Sequence, residues 1–380
     1  MDARKQIERL VRLTRPNAKF VAVSHSNDFT DPLQKLEDGY YYVSLYDEKI
    51  DSLLNKTNTG QIYLIHNSYL SSFAYNLYLC LFYSQQINGE ILIENNPLLK
   101  HNFKKFFAEQ LYTFHNTIFS RSVLLETLLY EQQMMVPVFE KKDTDKELNE
   151  KAAFASDIMS SLVSFHELGH YFLEINDAIW SSLLTANKNS LGVLYEKVKL
   201  YSNHALIEEF KCDSIAVFSC IDQYSKEYGL KIVLKSILFG FTTYAVLSSL
   251  VKSAEATSRD HKKIIEDVNF YSIDKQHRDY IYKIGLDEDF VKRAKLVTQL
   301  CENISRTENA DISSKGEDIR LPDSLLDDML NMINLIMDSD DSNSRKMSML
   351  VAESLHKHPE GMEYLYLRSK VFKSARELKL

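Results

Sequence analysis

The segment SLVSFHELGHYFLEI at 161–175 contains the pattern His-Glu-x-x-His, formed by His166, Glu167 and His170. Apolar residues recur three and four positions apart through the segment, which predicts an α-helix with a buried face. Positions i and i+4 lie on the same face of a helix, so two imidazoles there can reach one metal ion. Glu167 lies at a different angle and is placed to take a proton from a water molecule that the metal activates. The segment therefore predicts a helical metal-binding site with its own general base.

Gly169 stands inside the same predicted helix. A glycine there costs about 1 kcal/mol of helix propensity relative to alanine. Its lack of a side chain would let backbone or substrate approach the metal closely, which gives the glycine a functional explanation.

A second segment, HALIEEFKCDSIAVF at 204–218, carries Glu209 and Asp213 four residues apart on another predicted helix. A catalytic zinc needs three protein ligands and one open position, and Glu209 is the expected third ligand. Asp213, one turn on, is expected to accept a hydrogen bond from the outward nitrogen of a zinc histidine and so to fix its tautomer. Glu208 is an alternative, but it points about 100° away around the helix. His204 is chemically suitable but more typical of a core or surface histidine.

Together, the two motifs resemble those of the gluzincin metallopeptidases, in which His-Glu-x-x-His precedes a helix bearing Glu-x-x-x-Asp. The run EFKCDSIA at 209–216 is similar to the Glu-x-x-Ala-Asp-x-x-Ala form of membrane-associated members, with Cys212 in the place of the first alanine. The similarity covers roughly 60 residues of the chain. It implies a zinc-dependent peptidase with zinc ligands His166, His170 and Glu209 and the general base Glu167.

The resemblance also implies a His, Tyr or Arg beyond the metal that stabilises the oxyanion of the tetrahedral intermediate. The segment FYSIDKQHRDYIY at 270–282 follows the third-ligand helix and contains His277 and Arg278, the two expected candidates. Family members often have His-Pro with an Arg several residues later, whereas here the proline is absent and Arg278 adjoins His277. His261 and Tyr280 are further candidates, and a solvated basic helix face is the alternative interpretation.

The first 140 residues mix strand and helix patterns, with helix-like runs at 68–85 and 101–131. Five short segments rich in β-branched and aromatic residues predict strands at 19–25, 40–46, 61–66, 90–95 and 134–140. From Lys141 onward the helical period dominates. The expected fold is α+β and mainly helical, with a small N-terminal mixed sheet followed by a helical zincin-like metallopeptidase core and a C-terminal helical region.

Three regions follow from these patterns: a mixed α/β region at 1–140, a helical zinc-binding catalytic domain at 141–285, and a C-terminal helical region at 286–380. A polar break at 306–323 precedes the last helical piece. In gluzincins a strand edge beside the active helix binds the extended substrate by backbone pairing. The segment at 134–140 is the expected counterpart, because it immediately precedes the helical half.

The overall charge limits the classes of partner. The chain has 45 Lys and Arg against 53 Asp and Glu, a net charge of −8. This balance argues against a nucleic-acid-binding protein, which needs a basic face, and against an anionic membrane surface as the main partner. Four scattered cysteines provide neither a disulfide framework nor a cysteine zinc site. The charged N-terminus lacks the apolar core of a signal peptide, so a cytoplasmic protein is expected.

Two apolar stretches, at 61–88 and 236–251, raise the question of a membrane. The first is interrupted by polar residues and begins with a predicted strand, and the second is shorter than the ~20 residues needed to span a bilayer. Both are predicted to be buried in the protein, and no membrane span is expected.

The predicted function is zinc-dependent hydrolysis of a protein or peptide substrate. The chain has no G-x-S-x-G elbow, Walker A loop or G-x-G-x-x-G motif. Alternatives are a binding or interaction module with a degenerate or architectural metal site, and a zinc hydrolase with a non-peptide substrate. A further alternative is a defence or toxin peptidase that cleaves one host protein, since the motif also resembles that of the phage-exclusion peptidase. The oligomeric state is not indicated.

Overall fold

The computed structural model describes residues 3–26, 39–47, 51–88, 146–175, 178–267 and 288–308, with isolated positions between 101 and 128 and between 351 and 361. Within these residues all strands lie before residue 68, and almost every residue from 146 to 308 that is described is helical. The chain is therefore an α+β protein, mainly helical, with a small mixed sheet near its N-terminus. This fold class is the predicted one.

Four strands form one sheet in the order β1-β2-β4-β3. The strands are β1 (Lys19–Ser26), β2 (Tyr40–Tyr46), β3 (Leu53–Lys56) and β4 (Ile62–Asn67). β1 pairs antiparallel with β2 and β3 pairs antiparallel with β4, whereas β2 and β4 run parallel. The sheet is mixed, with β1 and β3 as its edges among the described strands.

Three of the predicted strands, at 19–25, 40–46 and 61–66, are confirmed. β3 was missed because its four residues, LLNK, show neither β-branched residues nor a clear alternation, so only pairing with β4 makes them a strand. The strands predicted at 90–95 and 134–140 lie outside the described residues.

The sheet core forms around β4, whose six residues are all buried. Helix α1 (Ala3–Thr14) buries Ile7 and Val11 in a cluster with strand residues that include Val43 and Ile65. A tight turn joins β3 to β4, and it needs a glycine because Gly60 has φ +83°, which side chains rarely adopt.

The rest of the described chain is helical, and its elements are listed in chain order. They are α2 (Ser68–Asn88), α3 (Lys146–Ile175), α4 (Ala178–Ala186), a π-helical turn (Lys188–Gly192), α5 (Val193–Tyr201), α6 (His204–Tyr228), α7 (Leu230–Asp267) and α8 (Glu288–Thr307). The predicted helices around 161–175 and 204–218 are confirmed as parts of α3 and α6.

Helix α3 packs closely against two later helices at small residues. A Cβ on Gly169 would lie 3.2 Å from Cys212 Cα of α6, so glycine allows the two helix backbones to approach there. A Cβ on Gly240 of α7 would lie 2.8 Å from Leu162 Cδ1 of α3. The sequence predicted that backbone or substrate would approach closely at Gly169. The structure shows that the backbone of α6 does so.

The chain divides into two compact units. The first comprises Met1–Tyr78, Lys146–Ala245 and Glu288–Asp323, and it contains the sheet and the His-Glu-x-x-His helix. The second comprises Leu79–Asp145, Val246–Asp287 and Ser324–Leu380. The domain boundaries at 140 and 285 stay predictions.

In the described part of the chain, one helical segment, Leu230–Ser249, is long and apolar enough to cross a membrane. More than half of this apolar segment is buried inside the protein. Core helices of soluble proteins meet the same criteria, so this segment alone does not identify a membrane protein.

Candidate metal centre

His166, His170 and Glu209 converge on one point in the first unit. His166 Nε2 lies 3.2 Å from His170 Nε2 and 3.3 Å from Glu209 Oε2. His170 Nε2 lies 3.5 Å from Glu209 Oε1. Among the described residues these three form the group that could hold a metal ion.

The spacing of these atoms fits a tetrahedral metal. Zinc bonds of ~2.0–2.1 Å to nitrogen and oxygen place neighbouring ligand atoms roughly 3.3–3.4 Å apart in a tetrahedron. The distance of 3.2 Å between the two ring nitrogens lies close to this value, and each ring nitrogen has one oxygen of Glu209 nearby, Oε2 at 3.3 Å from His166 and Oε1 at 3.5 Å from His170. In addition, two ring nitrogens 3.2 Å apart repel through their lone pairs unless a proton or a cation lies between them. The donor set of two imidazoles and a carboxylate is one that zinc accepts.

Asp213 orients the first histidine. Its Oδ1 lies 2.8 Å from His166 Nδ1, and its side chain is 1% exposed. If Nδ1 carries the proton and donates it to Asp213, Nε2 keeps a lone pair directed at His170 and Glu209. If a metal replaced the proton on Nε2, the carboxylate would keep the remaining proton on Nδ1, which is the tautomer that a metal ligand needs.

The local sequence explains why α6 presents these two acids. Asn203 caps the helix by accepting a hydrogen bond from the Leu206 backbone N–H at 2.8 Å, which starts α6 just before His204. The four-residue spacing then directs both acids to the same face, towards α3. Of the alternatives to Glu209, Glu208 does not line the cleft and His204 is exposed.

Arg293, on α8, was not predicted as a site residue. Its Nη1 lies 2.8 Å from Glu209 Oε2, and its Nη2 and Nε lie 2.7 and 2.9 Å from the two oxygens of Asp213. Nη2 also lies 3.3 Å from His166 Nδ1. The guanidinium thus joins both acids of α6, and its side chain is only 12% exposed.

A weak sequence signal for Arg293 existed. Helix α8 buries an apolar stripe that includes Val297, Leu300 and Ile304, and Arg293 lies on the same side one turn before Val297. An arginine in an apolar stripe needs a buried acidic partner. The sequence does not say which acid, because the partners lie 80 residues earlier in the chain.

The pKa values of His166 and Asp213 reflect the pairing of the two side chains. Burial alone would lower the pKa of His166, but its hydrogen bonds to Asp213 and Glu209 raise it to about 9. Burial alone would raise the pKa of Asp213, but the charge of Arg293 and the hydrogen bond from His166 lower it to about 2. Asp213 is therefore a carboxylate across the whole physiological range.

Glu167 lies in a different environment. Burial raises its pKa to about 7, with a smaller opposing effect from the charge of His166 and a further rise caused by Glu209. A carboxyl group with a pKa near 7 can both accept and release a proton at neutral pH. This property suits a general acid and base.

All six of these side chains line a cleft of about 200 Å³. The polar part of its lining includes the ligand candidates, Glu167, Asp213 and Arg293. Another part of the lining is mainly apolar and consists of Met159, Leu162, Val163, Gly240, Phe241, Tyr244 and Phe290. A cavity of ~150 Å³ lined by apolar side chains holds a benzene molecule, so this cleft has room for one large apolar side chain beside the polar wall.

The edge strand β3 begins beside the same cleft. Asp51 and Ser52, which immediately precede β3, line the cleft. Farther along the strand, Leu54 packs with the cluster around Leu168 of α3, and Lys56 Nζ lies 4.5 Å from the centre of the Tyr171 ring. A sheet edge therefore runs alongside the His-Glu-x-x-His segment.

The predicted oxyanion-stabilising residues have no structural test. His277, Arg278 and Tyr280 lie outside the described residues, and His261 falls in a part of α7 whose side chains are not described. Cys212 is completely buried and burial raises its pKa, which agrees with a packing role beside Gly169.

Comparison with known proteins identifies no relative of this chain. No protein-family model, curated protein or solved structure matches it. What the centre can do is therefore inferred from its own side chains.

Proposed function

We propose that the protein is a zinc-dependent peptidase that hydrolyses peptide bonds, with Glu167 as the general base. The observation that supports this most directly is the convergence of His166, His170 and Glu209 at spacings of 3.2–3.5 Å. Glu167 lines the same cleft with a pKa near neutrality.

The three ligand candidates would hold the zinc and leave a fourth position open towards the cleft. When bound there, zinc supplies Lewis acidity, which polarises the substrate carbonyl and makes water easier to deprotonate. Asp213 holds His166 in the tautomer and orientation required of a ligand.

Glu167 moves the proton. Its carboxylate takes a proton from the attacking water as the oxygen bonds to the carbonyl carbon. It then gives this proton to the departing nitrogen as the carbon–nitrogen bond breaks, so that a carboxylic acid and an amine are formed. The pKa of about 7 makes both transfers feasible at neutral pH.

Two features favour a peptide as the substrate. The edge of β3 could pair with an extended backbone by adding a strand to the sheet. The sequence suggested this role for 134–140, a segment that lies outside the described residues, and that prediction is untested. The apolar side of the cleft could receive one side chain of that peptide. A protein or peptide remains the expected substrate, and the cytoplasm remains the expected location of the enzyme.

Metal content tests the ligand set. Protein purified without chelators is expected to contain one zinc per chain by mass spectrometry, and His166→Ala and Glu209→Ala are expected to lose it. Glu208→Ala is the matched control, because it removes the neighbouring half-buried acid that does not line the cleft, and it should keep the metal. Absence of stoichiometric metal in the wild type would favour the binding-module alternative.

Activity on a quenched fluorescent peptide library tests the mechanism. Glu167→Gln is expected to keep zinc but to lose turnover by at least a hundredfold, the scale of a general base. His170→Ala is expected to lose both zinc and turnover. Full turnover in Glu167→Gln would refute the assigned role of Glu167.

A further inference from the structure

Arg293 lines the cleft, but its side chain is only 12% exposed. Three of its N–H groups are directed at the carboxylates of Asp213 and Glu209 at 2.7–2.9 Å. A guanidinium has five N–H donors in a fixed fork, so most of its capacity is used within the protein. Its function must therefore be sought in what it does to these two acids.

The decisive contact is with Glu209. Oε2 of Glu209 lies 2.8 Å from Arg293 Nη1 and 3.3 Å from His166 Nε2. The same oxygen is thus close both to the guanidinium and to the ring nitrogen of a ligand candidate, and Nη2 of Arg293 lies 3.5 Å from that nitrogen. Any cation held by these ligands shares the carboxylate with a second, permanent positive charge.

We propose that Arg293 is a positioning residue that competes with the metal for Glu209 and thereby lowers the zinc affinity of the site. This inference rests on the zinc centre of the proposed function. The guanidinium holds Glu209 and Asp213 in place and neutralises charge between them. This stabilisation is largest when no cation is bound, because a dication and a guanidinium on one carboxylate repel each other in a partly buried site.

Linkage gives the consequence. A group that stabilises the metal-free protein more than the zinc-bound protein weakens zinc binding. The loss of binding free energy equals the difference between the two stabilisation free energies. Zinc would then occupy the centre only above a free zinc concentration that depends on Arg293. In the alternative, Arg293 strengthens zinc binding by orienting Glu209. Removal of Arg293 would then weaken zinc binding and not strengthen it.

The test compares two substitutions at this position. Arg293→Met removes the charge but keeps an apolar stem where the arginine stacks on Phe290, 4.3 Å from the ring centre. Arg293→Lys keeps the charge but loses the planar fork. Zinc affinity is measured with Zn²⁺ alone, by competition with a chromogenic chelator at constant pH and ionic strength.

Arg293→Met is expected to bind zinc roughly tenfold more tightly than the wild type, and Arg293→Lys to stay within about threefold of it. In thermal unfolding, Arg293→Met should lower Tm more without zinc than with zinc. Unchanged or weaker zinc binding by a folded Arg293→Met protein would overturn the proposal.

A second neutral variant, Arg293→Gln, guards against misfolding, because its amide can still donate to a carboxylate. If both neutral variants fail to fold, the guanidinium is a structural requirement and the proposal is also overturned. Failure of the wild type to bind zinc would instead refute the proposed function, so the two failures are distinguishable.

Discussion

His66, on β4, is 2% exposed, and its Nε2 lies 3.0 Å from Ser71 Oγ of α2. Ser71 in turn contacts Ser160 Oγ of α3 at 2.5 Å, so the imidazole is linked through hydroxyls to the helix that carries the ligand candidates. Among the described residues, Nδ1 of His66 has no hydrogen-bond partner. Burial lowers the pKa of His66 to about 4, because a charged imidazole would lose its hydration there.

This residue makes stability depend on pH. The unfolded chain takes up the proton below about pH 6.5, whereas the folded protein takes it up only below about pH 4. The contribution of His66 to the free energy of unfolding should therefore be highest above pH 6.5 and should fall by roughly 3 kcal/mol as the pH drops to 4. His66→Gln, which can still bond to Ser71, should show a flatter profile in urea titrations at each pH. An unchanged slope in this variant would show that other groups cause the acid sensitivity.

Glu167 and Asp213, two acidic residues of the cleft, have opposite pKa shifts because their surroundings differ. Burial raises the pKa of Glu167 to about 7, whereas Arg293 and His166 overcome the effect of burial on Asp213 and lower its pKa to about 2. One carboxyl can exchange a proton at neutral pH, and the other is a permanent anion that orients a histidine. This difference comes from partners, since the two side chains share the same functional group.

At the scale of elements, the site depends on how closely α3 and α6 approach. Gly169, between Glu167 and His170 on α3, lies where a Cβ would be 3.2 Å from Cys212 Cα and 3.4 Å from Cys212 Cβ. Backbone cannot move aside as a flexible side chain can. The glycine therefore sets the separation at which Glu209 of one helix can meet the two histidines of the other.

Gly169→Ala is expected to lower the free energy of unfolding by about 1 kcal/mol, because overpacking of 1–3 kcal/mol exceeds the ~1 kcal/mol gain in helix propensity. Gly192→Ala is the matched control. That helical glycine has φ −60°, and a Cβ there would meet only Lys188 Cγ at 3.6 Å, so alanine should stabilise by about 0.5–1 kcal/mol. Urea unfolding measures both changes. Equal stabilisation by the two alanines would mean that α3 and α6 can separate without cost.

At the scale of the whole molecule, the ligand candidates join parts of the chain that are distant in sequence. His166 and His170 come from α3, Glu209 comes from α6, and Arg293 connects α6 to α8. A metal bound by the folded chain but not by the unfolded chain stabilises all these connections together. The stability of the first unit should therefore depend on zinc.

Zinc at about a thousandfold excess over its Kd is expected to stabilise the protein by roughly 4 kcal/mol, which raises Tm by several degrees. Differential scanning fluorimetry with and without a chelator measures this change. Mg²⁺ should have little effect, because it prefers an octahedral set of oxygen ligands. His170→Ala should abolish the rise caused by zinc. A rise of equal size in that variant would indicate binding elsewhere.

The sequence by itself determined the features that depend on local periodicity. The 3.6-residue repeat identified α3 and α6, and the i, i+4 spacing favoured Glu209 over Glu208 and predicted that Asp213 would meet a histidine. The shift from short segments rich in β-branched and aromatic residues to the helical period likewise indicated the fold class. These predictions were possible because helix and strand geometry converts spacing along the chain directly into positions on one face.

Only the tertiary structure decided which distant groups meet. Arg293 reaches Glu209 and Asp213 across about 80 residues, and four residues become the edge strand β3 only because β4 pairs with them. The closeness of α3 and α6 at Gly169 and the burial of His66 are of the same kind. Such contacts depend on how whole elements pack, and side-chain type and spacing within one segment carry no information about the partner that packing supplies.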